Sequence, residues 1–423
     1  MGSVKDLIRD DSKAGRLYAA PTANEFGKGA WRVSGRFSVG DLKEQIPDTN
    51  IKDKAEALTM MAARFFEWLS ENHVEIPTCY VGVLDKDGNV TDTQKLIDKG
   101  DKSNIIVMDL AHVPKTYCNG DLEEYRKALM SGELQCGVAD VESIFRKGFP
   151  LGSSTFEKIF KAVDKGKEYE TLATYDETVA GLDKIREMTS KEELSRVQKL
   201  IRVLGSSGLT GIPNPGYVLE DIVYNSTTKF EEAGDRAITK EEERKYSGLD
   251  EQGYKLWEKY MFPSFARAQI DFCDKRGILN IDGKGECVAY KRKPVITDFA
   301  CTVDENRLMI KTKVDGVEWA IPSNKEIQRA IFRKEGVYAA ISEAKERAEK
   351  EGDVNKWKIY IPEVLGERKI DIKAVAEHSC NLMEYAIGEV ANRILEKRVF
   401  DAKPVDSWVR EFVPYASKIQ FQE

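Results

Sequence analysis

The chain has 423 residues, 32% of them charged, and a formal net charge of −7. That length exceeds one typical hydrophobic core and predicts two or three subdomains. The acidic balance argues against non-specific nucleic-acid binding, which needs a basic footprint, and no apolar run approaches a membrane span.

From the N-terminus, Met1–Asp11 shows no apolar signal core, and Asp6 stands where a myristoylation motif needs a small hydroxyl residue. Seven scattered cysteines form no C-x-x-C pair and fit no zinc spacing. They predict reduced thiols and a cytoplasmic protein. Residues 1–50 read as short strands and turns, punctuated by Gly27, Gly29, Gly35 and Gly40. Residues 53–72 predict a helix, with Leu58, Met61, Phe65 and Leu69 at helical spacing and Asp53 placed to cap it. Strands are expected in Ile76–Asp85 and Asn104–Pro114. Charged, mostly helical segments are expected at 117–140 and 155–205, with Lys191–Val203 the clearest. Residues 239–276 read as one or two long helices, with Trp257, Tyr260, Phe265 and Ile270 as apolar contacts. A hairpin follows, then a charged helix Lys325–Glu351 and a last helix Ile372–Lys397. Of the three histidines, His73 and His378 fall at or within helices, and structural roles suit all three, His112 included. That leaves no convincing Ser/His/Asp or Cys/His machine.

The hairpin carries the chemistry. Between Gly277 and Arg307, Asp282, Lys284 and Glu286 occupy alternate positions among β-type residues. Alternate residues of a strand share a face, so these three should point together. Asp298, twelve residues after Glu286, could meet them from the neighbouring strand, across a loop at Lys291–Lys293. Carboxylates converging beside a lysine suit Mg²⁺ and a nucleotide triphosphate. The plainer reading is a charged, solvated hairpin face. Neither a G-x-x-x-x-G-K-[ST] loop nor a G-x-G-x-x-G after a strand occurs, so a nucleotide would be held another way.

Two further segments invite a role. Val141–Phe156 runs from a strand-like start through Arg146 and Lys147 to Gly152, Ser153 and Ser154 before a helical stretch. Exposed backbone N–H groups beside a cation make a phosphate site; an ordinary N-cap is the alternative. Tyr224–Thr239 sets three hydroxyl residues before Lys229, with acids following, and reads as a substrate-gripping or an ordinary solvated loop.

In this order and spacing the pieces resemble the SAICAR synthetase family (phosphoribosylaminoimidazole-succinocarboxamide synthases). Gly2–Leu7 resembles the family's opening G-K-V-R-D-L-Y type segment, and Gly35–Asp41 its D-R-I-S-A-F-D segment. Glu142–Ser153 resembles E-x-V-V-R-G-Y-x-x-G-S, and Thr227–Thr239 resembles S-T-K-A-E-E-G-H-D-E-N-I-S. Asp282, Lys284 and Glu286 match D-x-K-x-E. Asp298, Thr302, Asp304 and Arg307 match D-E-x-x-T-P-D-S-S-R. The likeness spans about residues 1–330, with apparent insertions near 81–135 and 156–205. Lys325–Arg329 resembles a family D-K-Q-x-x-R segment. Departures are Ser3 for Lys, Gly35 for Asp, Phe299 for an acid, Val303 for Pro, and Glu305 and Asn306 for serines.

The resemblance implies an α+β fold. A small antiparallel N-terminal nucleotide-binding lobe (1–110) would precede a larger α/β catalytic domain with a helical insertion (111–330). A helical C-terminal extension (331–423) would pack on it. It implies ATP and Mg²⁺ as cofactors. Lys5 would reach ATP phosphates, with Lys284 beside the nucleotide and Glu286 and Asp298 holding Mg²⁺. Ser153 and Gly152, with Arg146 or Lys147, would grip a ribose phosphate. Arg36, Ser38, Lys229, Asp304 and Arg307 would line the substrate side, and Lys229, Asp282, Lys284 and Arg307 would serve catalysis. The implied reaction is ATP-dependent amide formation through an acyl phosphate in purine biosynthesis, joining a phosphoribosyl aminoimidazole carboxylate to aspartate. The expected partners are small molecules, with neither nucleic acid nor membrane, and a homo-oligomer stays open. A sister ligase with another acid or amine, a kinase-like phosphotransferase and a degenerate binding protein are the rival readings.

Overall fold

A computed structural model describes residues 16–37, 42, 46, 49–148, 218–231, 236–352 and 356–415. It is an α+β protein of helices on antiparallel sheets. The first part contains β1 (Arg16–Ala19), β2 (Gly27–Arg32), β3 (Arg36–Phe37), β4 (Thr49–Asn50), α1 (Lys54–Asn72), β5 (Tyr80–Leu84), β6 (Val90–Thr91), α2 (Thr93–Asp98) and β7 (Ile105–Leu110). Its main sheet has the order β1-β2-β7-β5-β6. α1 buries Leu58, Met61, Phe65 and Leu69 as their spacing predicts, and Met60, Phe66 and Trp68 as well. A helix apolar on most sides must be covered on most sides. Asp53 sits at its N-cap but makes no capping bond; its backbone is left-handed (φ 57) and its carboxylate pairs with Lys102 at 3.1 Å.

The next part holds α3 (Pro114–Cys118), α4 (Leu122–Ser131), β8 (Cys136–Gly148), β9 (Val218–Thr227), β10 (Ala237–Ile238), α5 (Lys240–Tyr246), α6 (Glu251–Leu256), a π turn at Trp257–Met261, and α7 (Phe262–Asp274). The helical expectation for 117–140 fails at its end: Cys136–Asp140 is strand. Cys136, Val138, Ala139, Asp140 and Val141 are all buried, as in a strand covered on both faces. Trp257, Phe265 and Ile270 are buried as expected, whereas Tyr260 is 65% exposed, because the π turn carries Met261 inward instead.

β11 (Ile278–Asn280), β12 (Asp282–Tyr290), β13 (Lys293–Thr297), β14 (Leu308–Val314) and β15 (Val317–Pro322) follow. The central sheet runs β10-β9-β8-β12-β13, and β11-β14-β15 form a smaller one. Tyr290 pairs with Lys293, so the hairpin turn is Lys291–Arg292, both with positive φ (49 and 64). Two left-handed residues give the twist that joins antiparallel strands. The helices α8 (Lys325–Lys334), α9 (Val337–Lys350), α10 (Trp357–Glu367), α11 (Ile372–Leu395) and α12 (Val405–Phe412) complete the described chain. The single helix expected over Lys325–Glu351 is two, because Gly336 takes φ 77 and ends the first. The helix expected over Ile372–Lys397 is α11 (Ile372–Leu395), but it is not the last, because α12 follows it. Among the described residues no helix is long and apolar enough to cross a membrane.

Candidate functional site

β12 explains why acid, base and acid alternate with glycine. Asp282, Lys284 and Glu286 share one face, and behind it Gly285 lies against α7 and Gly283 against Asn306 and Phe145. A Cβ at Gly285 would lie 3.0–3.1 Å from the Phe262 and Phe265 rings, and one at Gly283 would lie 2.0 Å from Asn306 Nδ2. Close packing behind the strand therefore excludes side chains there. On the front, register sets Arg146 of β8 opposite Asp282 and Glu142 opposite Glu286. Beyond β8, Thr227 of β9 lies opposite Glu142.

One end of this face is an acid cluster threaded by two lysines. Lys284 Nζ lies 2.9 Å from Glu142, 3.0 Å from Glu286, 3.0 Å from Glu305 and 3.6 Å from Asp298. Lys229 pairs with Glu286 and lies 3.9 Å from Glu142 and 4.0 Å from Asp298. Glu286 is 2% exposed and Asp298 34%. Asp298 just follows β13 with φ 68, a conformation that costs a non-glycine residue about 1 kcal/mol or more. That bend brings its carboxylate against Glu286. Desolvation and then the adjoining Glu286 push Asp298 up to about 6. Burial also raises Glu305. For Lys284 burial opposes the charge, yet the carboxylates of Glu305, Glu286, Asp298 and Glu142 outweigh it and raise the lysine.

Among the described residues no group of three or more His, Cys, Asp or Glu is arranged to hold a metal ion. The pair Glu286 and Asp298 nevertheless fits a hard cation. Both donors are carboxylate oxygens that lie side by side, and Mg²⁺ takes one or two carboxylates plus substrate phosphates.

The other end is basic. Asp282 Oδ2 accepts from Arg146 at 3.2 Å and from Arg307 at 2.5 Å. Arg307 also meets Glu326 at 3.3 Å, and Glu326 meets Arg329 at 2.6 Å. Lys325 is held low by burial and then by the neighbouring Arg329 and Arg307. Three arginines thus gather around Asp282 and Glu326 with Lys325 beside them, a concentration of positive charge that attracts anions.

Of the residues singled out from sequence, Lys229, Lys284, Glu286 and Asp298 come together at the first end. Asp282, Arg146 and Arg307 meet at the second, so Asp282 shares a face with Lys284 but not its cluster. Arg146, rather than Lys147, stands beside Asp282; Lys147 is half-buried and its backbone N–H donates to Ile281 at 2.7 Å. Asp304 pairs with Lys54 of α1 at 3.0 Å. Arg36 is exposed on β3, near the start of α1. Lys5, Ser38, Gly152 and Ser153 lie outside the described residues. Sequence reasoning gave no role to Glu142, Lys54, Glu305 or Lys325. For Glu142 the signal was present: an acid at an alternate position of a strand two residues before Ile144. Asn306 is buried, bonding Cys301 N at 2.9 Å and Gln269 at 2.8 Å, and so fixes the loop between Asp298 and Arg307.

No family model matches the chain. It is 26% identical over 400 residues to a protein of Archaeoglobus fulgidus assigned provisionally as a phosphoribosylaminoimidazole-succinocarboxamide synthase, covering 91% of this chain and 99% of that one. Among solved structures it is similar to a Saccharomyces cerevisiae SAICAR synthase complexed with SAICAR, at 11% identity and a TM-score of 0.45, covering 93% and 99% of the two chains. A Pyrococcus horikoshii SAICAR synthetase is similar at 14% identity and a TM-score of 0.40, covering 84% and 98%.

Proposed function

We propose that the chain, 26% identical over 91% of its length to a provisionally assigned phosphoribosylaminoimidazole-succinocarboxamide synthase, is an ATP-dependent carbon–nitrogen ligase. It joins a phosphoribosyl aminoimidazole carboxylate to aspartate. The observation that carries this reading is one strand face with an acid–lysine cluster at one end and an arginine cluster at the other. Asp282 and Glu286 are four residues apart, about 13 Å at 3.3 Å per residue. That span suits a ribotide whose phosphate sits by Arg146 and Arg307 and whose carboxylate reaches the nucleotide end.

There Lys284 and Lys229 neutralise transferring phosphoryl oxygens, in a site that mostly positions reactants and balances charge. Glu286 and Asp298 would hold Mg²⁺, which would supply further charge neutralisation to the triphosphate. The substrate carboxylate oxygen attacks the terminal phosphorus of ATP, and ADP leaves. The amine nitrogen then attacks the acyl carbon, the carbon–oxygen bond to phosphate breaks, and the amine proton passes to solvent. No enzyme nucleophile is required. Arg307 and Asp282 hold the ribotide while Asp304 and Lys54 border the same loop.

Mass spectrometry of reactions containing MgATP, the ribotide carboxylate and each amino acid tests this. ADP, free phosphate and an amide that needs both acid and amine are expected. A sister ligase is the second reading, favoured by Glu305: it puts an extra carboxylate 3.0 Å from Lys284 where the family pattern has serine. Amide formation with another acid or amine, and none with this pair, would select it. ADP formed with an alcohol acceptor and no amide would select a phosphotransferase.

A further inference from the structure

α4 lies in the segment 81–135, which reads as an insertion against the family pattern, yet it reaches the site. Asp121 caps it by accepting from Glu124 N at 2.9 Å, and Tyr125, Ala128 and Leu129 bury its inner face. Arg126 points inward with them. Its guanidinium donates to Asp140 Oδ2 at 2.7 Å, Glu123 at 3.0 Å and Glu231 at 3.1 Å, and lies 4.1 Å from the centre of the Tyr246 ring. Every neighbour fixes its plane.

Asp140 is 0% exposed. It sits in β8 where the pairing with β12 shifts, between Val138 opposite Val288 and Glu142 opposite Glu286. That irregularity turns its carboxylate inward. While Oδ2 faces Arg126, Oδ1 accepts from two successive backbone groups, Lys229 N at 3.0 Å and Phe230 N at 2.8 Å. A lysine stem is flexible, so where its ammonium arrives depends on where its backbone is held. The backbone N–H of Lys229 is held by this carboxylate, and its ammonium pairs with Glu286.

We propose that Arg126 and Asp140 are positioning residues for Lys229, by which the inserted helix sets the lysine against the phosphoryl-transfer end of the site. Arg126 engages Oδ2 while Oδ1 receives both backbone N–H groups, so the guanidinium fixes the direction in which the carboxylate faces the Lys229 backbone. Remove the arginine, and nothing on Oδ2 from this helix holds the carboxylate in place, so it turns away and frees the two N–H groups. The assignment rests on the ligase reading for what Lys229 does, but not for how it is held.

The test uses the full chain and the variants R126M, R126K and D140N, alone and combined with K229M. Single-turnover amide formation is measured with saturating and limiting substrates. Hydrogen exchange at the Lys229 and Phe230 amides is measured without substrate. R126M and D140N should each lower the rate ten-fold or more with KM for the ribotide within two-fold. Neither should slow K229M further, since coupled residues are non-additive. Exchange at the two amides should speed ten-fold or more while the rest of β8 and β9 keeps its protection, and R126K should recover part of it. Rate losses that multiply with K229M, or exchange that rises evenly through both strands, would overturn the proposal. If R126M does not fold, D140N and R126K carry both arms. If the unmodified protein makes no amide, the ligase reading fails and the exchange arm alone decides this one.

Discussion

Replacing Asp282 with Asn should destabilise the protein far more than a surface charge change would. Asp282 and Arg146 are both buried, and the carboxylate takes Arg146 at 3.2 Å and Arg307 at 2.5 Å. Asparagine keeps the volume but removes the charge between two guanidiniums. Arg307 retains Glu326 at 3.3 Å. Arg146 keeps, among its partners, the Asn225 carbonyl oxygen at 3.2 Å. Breaking a buried pair by removing one partner costs about 3–5 kcal/mol, because the remaining charge stays desolvated. The lower end of that range, about 3 kcal/mol, applies because both arginines keep other partners. Urea unfolding of D282N against the unmodified chain reads the change as a shift in midpoint at constant slope. Inorganic phosphate should restore more stability to D282N than it adds to the original, since an anion can take the vacated place between the arginines. A midpoint within about 0.5 kcal/mol of the original, the range of an ordinary surface change, would refute the reasoning. It would mean the two arginines do not depend on this carboxylate.

Three other outcomes follow from the same geometry. Glu286→Gln should lower ATP turnover about a hundred-fold or more while circular dichroism stays unchanged; undiminished turnover would remove Glu286 from the site. Asp298, raised from 3.8 to about 6, is a carboxyl that holds a proton in the folded chain after the unfolded chain has lost it. Its contribution to stability is therefore full below about pH 4 and lost as pH rises through 6. D298N should flatten that part of the stability profile measured from pH 4 to 7, and an unchanged slope would contradict the crowding by Glu286. Cys79 and Cys136 are buried, with burial pushing each thiol up to about 12, whereas Cys118 and Cys380 are only half-buried. Iodoacetamide at pH 8 should modify Cys118 and Cys380 in the native protein, and peptide masses showing Cys79 or Cys136 modified before unfolding would contradict the packing.

What the sequence made legible was local. Alternation alone placed Asp282, Lys284 and Glu286 on one face, and the period of α1 placed its core side. The glycines between the acids also carried meaning, since only a strand packed tightly behind needs them. What it hid depends on pairing between distant segments. Lys284 and Glu142 are separated by 142 positions, and their contact exists only because β12 and β8 adopt one register. A shift of one residue would send Glu142 to the opposite face and replace it with its neutral neighbour. The choice between Arg146 and Lys147 was undecidable for the same reason: alternation says that they face opposite ways, and only the register opposite Asp282 says which one faces the site. Cys136–Asp140 was misread as helix because charge on the preceding helix masked a short run that burial on both sides makes strand. The irregularity in that same run is what turns Asp140 inward toward Lys229. The site's least legible feature and its most consequential brace therefore have one origin, the pairing shift between Val138 and Glu142.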